Sequence, residues 1–114
     1  MRTNFKMEDK NITMVRGDTL SFNIFVTDPD GNAVTVDSAD FTCKKLATDE
    51  SNVFRKSLNA GILQDDDCLT VRVAPSDTEN VDAGRYFYDC QIGVDDDVFT
   101  ILKGILTIEQ DVTF

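Results

Sequence analysis

Apolar and polar residues alternate with a period of two along much of this chain, a pattern that predicts β-strands. The clearest run is Leu20, Phe22, Ile24 and Val26, set against Ser21, Asn23 and Thr27. Before it, Asn11–Val15 is a short apolar-rich run that ends in a turn at Arg16-Gly17-Asp18. After it, Asp28-Pro29-Asp30-Gly31 predicts a tight turn, with proline fixing φ and glycine free to take a positive φ. Ala39–Leu46 predicts a strand with Phe41 and Cys43 on one face and Thr42 and Lys44 on the other. Val53–Leu58 predicts a weaker strand, placed at a sheet edge because Arg55 and Lys56 would discourage unwanted pairing. Gly61–Leu63 leads into the acidic turn Asp65-Asp66-Asp67, and Leu69, Val71 and Val73 mark a strand stopped by Pro75. Ser76-Asp77-Thr78-Glu79 has the spacing of a capping box and predicts a single helical turn. Tyr86, Tyr88, Cys90, Ile92 and Val94 share one face of a long strand, which turns at Asp95-Asp96-Asp97 into a final strand over Val98–Glu109.

That last strand is apolar on both faces, with Val98, Leu102, Leu106 and Ile108 on one and Phe99, Ile101 and Ile105 on the other. One face is expected in the core. The other, carried by Phe99, Ile101 and Ile105, is the candidate interface with a partner. Gly104 is expected to mark a bulge that changes the facing midway.

Composition points the same way. Val, Ile and Thr supply 30 of the 114 residues, with eight Phe and two Tyr besides, a set suited to a pleated, half-buried surface. The acids are 17 Asp and only 4 Glu, and Asp favours turns and caps over helix interiors. The expected fold class is all-β, in a single domain over residues 1–114. About seven or eight antiparallel strands in that length is the count of an immunoglobulin-like β-sandwich. Lys and Arg number 11 against 21 acids, a net charge of −10, which argues against nucleic acid and against anionic membranes. With no histidine and no tryptophan, Ser-His-Asp and Cys-His catalysis and imidazole-dependent zinc sites are excluded. Met1 to Lys10 is polar and lacks the apolar core of a secretory signal. Three cysteines, Cys43, Cys68 and Cys90, cannot all pair within the chain, so free thiols in a reducing cytosol are expected.

Asp82-Ala83-Gly84-Arg85-Tyr86 resembles the D-x-G-x-Y segment that opens the sixth strand of immunoglobulin-like domains. There the tyrosine hydroxyl bonds back to nearby backbone and pins a corner, so the resemblance implies a structural corner of Asp82, Gly84 and Tyr86. Tyr88 stands where that family places its second cysteine, and its core tryptophan is missing. The similarity is therefore to a disulfide-free variant. A narrower resemblance covers nearly the whole chain. Ile12-Thr13-Met14-Val15-Arg16-Gly17-Asp18-Thr19, then Phe22 to Asp28 and Gly31, and finally Gly84-Arg85-Tyr86 with Val98–Val112, are similar to small immunoglobulin-like domains of bacteriophage tail and baseplate proteins, such as the amino-terminal domain of baseplate upper proteins. This resemblance implies a non-enzymatic virion protein of tail, baseplate or fibre, made in the cytoplasm of a bacterial host. It also implies other virion proteins as partners, and the limited core of so small a domain makes symmetric self-association expected.

Other chemistry in the sequence is weaker. Arg16-Gly17-Asp18 spells an integrin-recognition tripeptide, but a turn needs Gly and Asp in any case. Asp65–Asp67, Asp95–Asp97, Asp28 and Asp30 could offer oxygens to calcium if the fold gathers them at one end, although neither triplet has a dedicated loop pattern. The alternative function is thus a ligand-binding module for glycan or a host surface, assisted by calcium. Paired carboxylates could serve a glycosidase, yet no residues suggest a sugar-lined cleft. No catalytic, cofactor-binding or metal residues are assigned and no cofactor is expected. Asn11-Ile12-Thr13 is a glycosylation sequon that matters only in a secretory pathway. Cys43 and Cys90 fall at inward positions of neighbouring strands, where buried inert thiols are expected over a disulfide.

Overall fold

The structure is a computed structural model, describing residues 8–28, 30–46, 48, 52–65 and 68–112. Pro29, Asp66 and Asp67 of the expected turns, and the segment before Glu8, lie outside the described residues. The fold is all-β. Among the described residues nine strands run in the order β1 (Glu8–Asp9), β2 (Ile12–Val15), β3 (Leu20–Phe25), β4 (Ser38–Lys44), β5 (Phe54–Leu58), β6 (Gly61–Asp65), β7 (Cys68–Val73), β8 (Gly84–Val94) and β9 (Asp97–Glu109), with one helical turn, α1 (Pro75–Thr78), before β8.

They form one continuous sheet in the order β1-β9-β8-β4-β5-β6-β7-β3, and β2 also pairs with β9. β1 and β2 run parallel to β9 in one register, Asp9 opposite Lys103 and Ile12 opposite Leu106, and so behave as a single interrupted strand. β5 and β6 pair in parallel at Ser57–Gly61 and Leu58–Ile62, and the remaining pairings are antiparallel. The sheet curls so that β3, at one end of the order, packs across β4 in the middle. There Phe22 meets Phe41 edge-on at a centroid separation of 5.6 Å, while Phe41 also stacks on Tyr88 at 5.2 Å and Phe54 at 6.1 Å. Around this aromatic centre the inward residues Cys43, Ile62, Leu69, Val71, Cys90, Ile92, Leu106 and Ile108 are completely buried.

Alternation sorts most strands as expected. The buried set takes Phe41 and Cys43 from β4, Leu69, Val71 and Val73 from β7, and Tyr86, Tyr88, Cys90 and Ile92 from β8. β5 departs from its expected edge position, since it lies between β4 and β6. Its two cations serve internal contacts instead: Arg55 bonds Asp40 of β4 at 2.8 Å, and Lys56 bonds Asp77 of α1 at 2.6 Å. Asp77 also caps α1 by accepting the Ala74 N–H at 2.7 Å. The capping box thus lies two residues before the Ser76–Glu79 reading, with Pro75 opening the turn.

In β9 the facing does change midway, but at Ile101 rather than Gly104. Gln91 pairs with Thr100 and Cys90 with Leu102, leaving Ile101 as the extra residue of a bulge. Gly104 has a different role. A Cβ there would collide with the carbonyl of Lys10, at the interruption between β1 and β2. Across this bare backbone the Tyr88 hydroxyl donates to the same carbonyl, and the Asn11 side chain accepts the Ile105 N–H at 3.1 Å. Gly104→Ala is expected to push β1 and β2 away from β9 and cost about 2 kcal/mol, a fall of roughly 8 °C in Tm measured by thermal unfolding.

Candidate interaction surface

Phe99, Ile101 and Ile105 do not share a face. Phe99 precedes the bulge and pairs with buried Ile92, so it packs against the core. Ile101 is the bulged residue and is 7% exposed. Only Ile105 points outward, half-buried opposite Phe87. The bulge breaks the period of two on which the expected apolar face rested, so the candidate surface has to be rebuilt from the outward residues that the register brings together.

Those residues lie on the outer side of β9, β8, β4 and β5. One row runs Lys103, Asp89, Thr42, Arg55, and the next runs Ile105, Phe87, Lys44. Phe87 is 43% exposed, flanked in sequence by the buried Tyr86 and Tyr88. A depression of about 650 Å³ lies among Asn11, Lys44, Phe87, Asp89, Lys103 and Ile105. Half-burial raises the Asp89 carboxyl above its ordinary range, against the opposing pull of Lys44. The register places Lys44, Arg55, Arg85 and Lys103 on this face against Asp9, Asp40, Asp89 and Glu109. Charges on this face are thus balanced, in a chain of net charge −10. Phe87, Lys44 and Lys103 were absent from the expected interface, although Phe87 carries a readable signal as the one aromatic on the polar parity of β8.

The acids gather on turns. Asp37 accepts the Asp95 N–H at 3.0 Å, and Gln64 ties β6 to the neighbouring Val36 through bonds of 2.7 and 3.2 Å. These contacts bring the Asp95-Asp96 turn, Asp37 and Asp65 to one end of the sheet. Asp95 and Asp96 take φ values of 51° and 70°, the left-handed pair of a tight two-residue hairpin. Asp28 accepts the N–H groups of Asp30 and Asn32, both at 2.9 Å; the Asn32 bond leads in holding its carboxyl below the ordinary value. Among the described residues no group of three acids or cysteines is placed to hold a metal ion.

At the opposite end, Arg16 of the tripeptide is held at 2.9 Å by the buried carboxylate of Asp111. Gly17 donates its N–H to the fully buried Thr78 hydroxyl at 2.9 Å. An integrin-type reading needs a presented arginine, and here the guanidinium is an internal strut. Close by, the Tyr86 hydroxyl donates to the Asp82 carbonyl at 2.5 Å, with the Lys45 ammonium 4.8 Å from its ring centroid. Of the expected corner residues, Asp82 and Tyr86 are bonded at the entry to β8, the strand that begins at Gly84. Cys43 pairs opposite Tyr88, and Cys90 opposite Phe41. Both are free thiols, and burial pushes each up to about 12. Cys68 sits partly exposed on the outer side of β7.

No protein-family model matches this sequence, and comparison with curated proteins gives no significant match.

Two measurements check this geometry. Tyr86→Phe leaves the Asp82 carbonyl without its donor and is expected to cost about 1 kcal/mol, read as a lower midpoint in urea unfolding. In a colorimetric thiol titration at pH 8, Cys68 is expected to react promptly. Cys43 and Cys90, far below their titration range and buried, should react only on unfolding.

Proposed function

We propose that this chain is a non-enzymatic structural module of a bacteriophage or prophage particle, belonging to its tail, baseplate or fibre and acting through protein–protein contact. We further propose that its curled sheet is an immunoglobulin-like sandwich. Strand order supports that part of the reading. β2, β9, β8, β4 and β5 would form one layer, opened by a parallel pair, and β6, β7 and β3 the other. The observation that carries the fold reading is the Tyr86–Asp82 bond at the start of β8, the corner contact of immunoglobulin-like domains.

The particle assignment rests on the likeness of the Ile12–Thr19, Phe22–Asp28 and Gly84–Tyr86 segments to tail and baseplate domains. The outer face of β9, β8 and β4 fits a contact role, with Phe87 and Ile105 set among Lys44, Lys103, Asp9 and Asp89, an apolar centre in a charged surround. The chain would be made in the host cytoplasm and incorporated into the particle.

Mass spectrometry of purified particles, after prophage induction in the source organism, tests this reading. The expected result is this chain in stoichiometric amounts with tail proteins. Its absence from intact particles, when the induced cells contain it, would overturn the assignment and favour a ligand-binding module.

A further inference from the structure

The inward residues of β3 are less covered than the residues they pair with. Leu20, Phe22 and Ile24 lie opposite Val73, Val71 and Leu69, yet the three β7 residues are completely buried while their β3 partners are only half-buried. The difference comes from position, since β3 ends the sheet order and among the described residues pairs with β7 alone. Beside this edge runs a groove of about 590 Å³, lined by Leu20, Phe22 and Ile24 of β3 and by Ile12, Ile101 and Leu102 of β2 and β9. The two ends of the sheet also differ in charge. At the opposite end, β1 is Glu8–Asp9 with Lys10 next to it, whereas Thr19–Thr27 holds no charged residue in a chain of which 28% is charged. Strand edges are ordinarily guarded by charge, proline or a bulge, and Leu20–Phe25 has none of these.

We infer that β3 pairs with β3 of a second copy of this chain, antiparallel about a two-fold axis, so that the two sheets run on into one and each copy covers the other's groove. What fits this edge is an extended, uncharged segment that alternates apolar and polar residues. Its backbone completes the ladder, and its alternate side chains lie over the groove. β3 is itself such a segment. Two chains of net charge −10 repel through most of their surfaces, and this edge lets them meet with no charge set against another. A two-fold axis normal to the sheet keeps inward side chains inward, so residues of like parity oppose each other. Centred on Phe22, the pairing sets Phe22 beside its copy and Leu20 beside the copy's Ile24 on the inner side, with Ser21 beside the copy's Asn23 on the outer side. Centring on Asn23 would instead bring Asp18 toward the copy's Asp28, and like charges disfavour that register. The contact is isologous and closes at two copies. It rests on the reading of this chain as a contact module, and gives that module a partner and an edge.

The test uses the full chain and two variants at Ser21 and Asn23, which are exposed and lie outside the core. Ser21→Lys with Asn23→Lys sets lysine against lysine across the axis, and Ser21→Glu with Asn23→Glu sets carboxylate against carboxylate. In sedimentation velocity over a concentration series, the unaltered protein is expected to pass from monomer to dimer and no further. Each variant alone should stay monomeric, its dissociation constant weakened by about tenfold or more, and an equimolar mixture should dimerise again because opposite charges now face each other. Circular dichroism confirms that both variants are folded. An unaltered protein that stays monomeric, variants that dimerise as well as it does, or a mixture that stays monomeric would overturn the inference. Amide exchange of the unaltered protein is independent of any substitution. In the dilute monomer, the β3 amides directed away from β7 should exchange freely, and they should slow at concentrations where the dimer forms. Protection of those amides at every dilution would show that the chain covers this edge itself, and fast exchange persisting in the dimer would show that the copies meet elsewhere; either result would also overturn the inference. Failure here leaves the particle reading to be decided by particle composition, since a chain can bind other virion proteins without binding itself.

Discussion

The placement of β9 depends on one close approach, the Lys10 carbonyl lying against the bare backbone of Gly104. Strand β9 is bonded on both sides, to β8 along one edge and to β1 and β2 along the other. Any side chain at 104 would separate the second pairing. Because the position is bare, Tyr88 can reach across from β8 to the same carbonyl, and three strands are clasped at one point. With β9 held from both sides, its outward residues and those of β8 and β4 form an ordered face rather than a fraying margin.

The two ends of the sheet are built on different physics. One is tied by ion pairs and buried polar contacts, Arg16 to Asp111 and Gly17 to Thr78. Truncating either partner of such a pair would strand the other. The opposite end relies on turn geometry, with aspartates accepting backbone N–H groups at Asp28 and Asp37. That arrangement leaves carboxylates facing solvent, so the hairpin tip is both acidic and tightly formed. Strand geometry thus separates the structural Arg16 from the cationic residues of the outer face.

Much of the sheet is legible in the sequence, because residues such as Phe41 and Cys43, or Leu69, Val71 and Val73, keep a strict period of two from end to end. The corner at Tyr86 is legible for a similar reason, since a four-residue spacing to Asp82 is local. Strand β9 defeats the same reasoning. An extra residue at Ile101 reverses the parity, so Phe99 and Leu102 both face the core although they differ by three, and Ile105 is left alone on the outside. The position of β5 is illegible for another reason: Arg55 and Lys56 look like edge protection until their partners, Asp40 and Asp77, are brought in from distant parts of the chain. The outer-face groove is a product of register between strands, which no single segment encodes.

Amide hydrogen exchange followed residue by residue tests the central claim, that β9 is an interior strand clasped from both sides. An interior strand directs successive N–H groups to opposite neighbours, and both neighbours accept them. From Leu102 to Ile108 the account predicts an unbroken run of slowly exchanging amides, against alternating protection in β3, which has a single partner. Alternating protection along β9, with every second amide exchanging freely, would contradict the clasp and the face built on it.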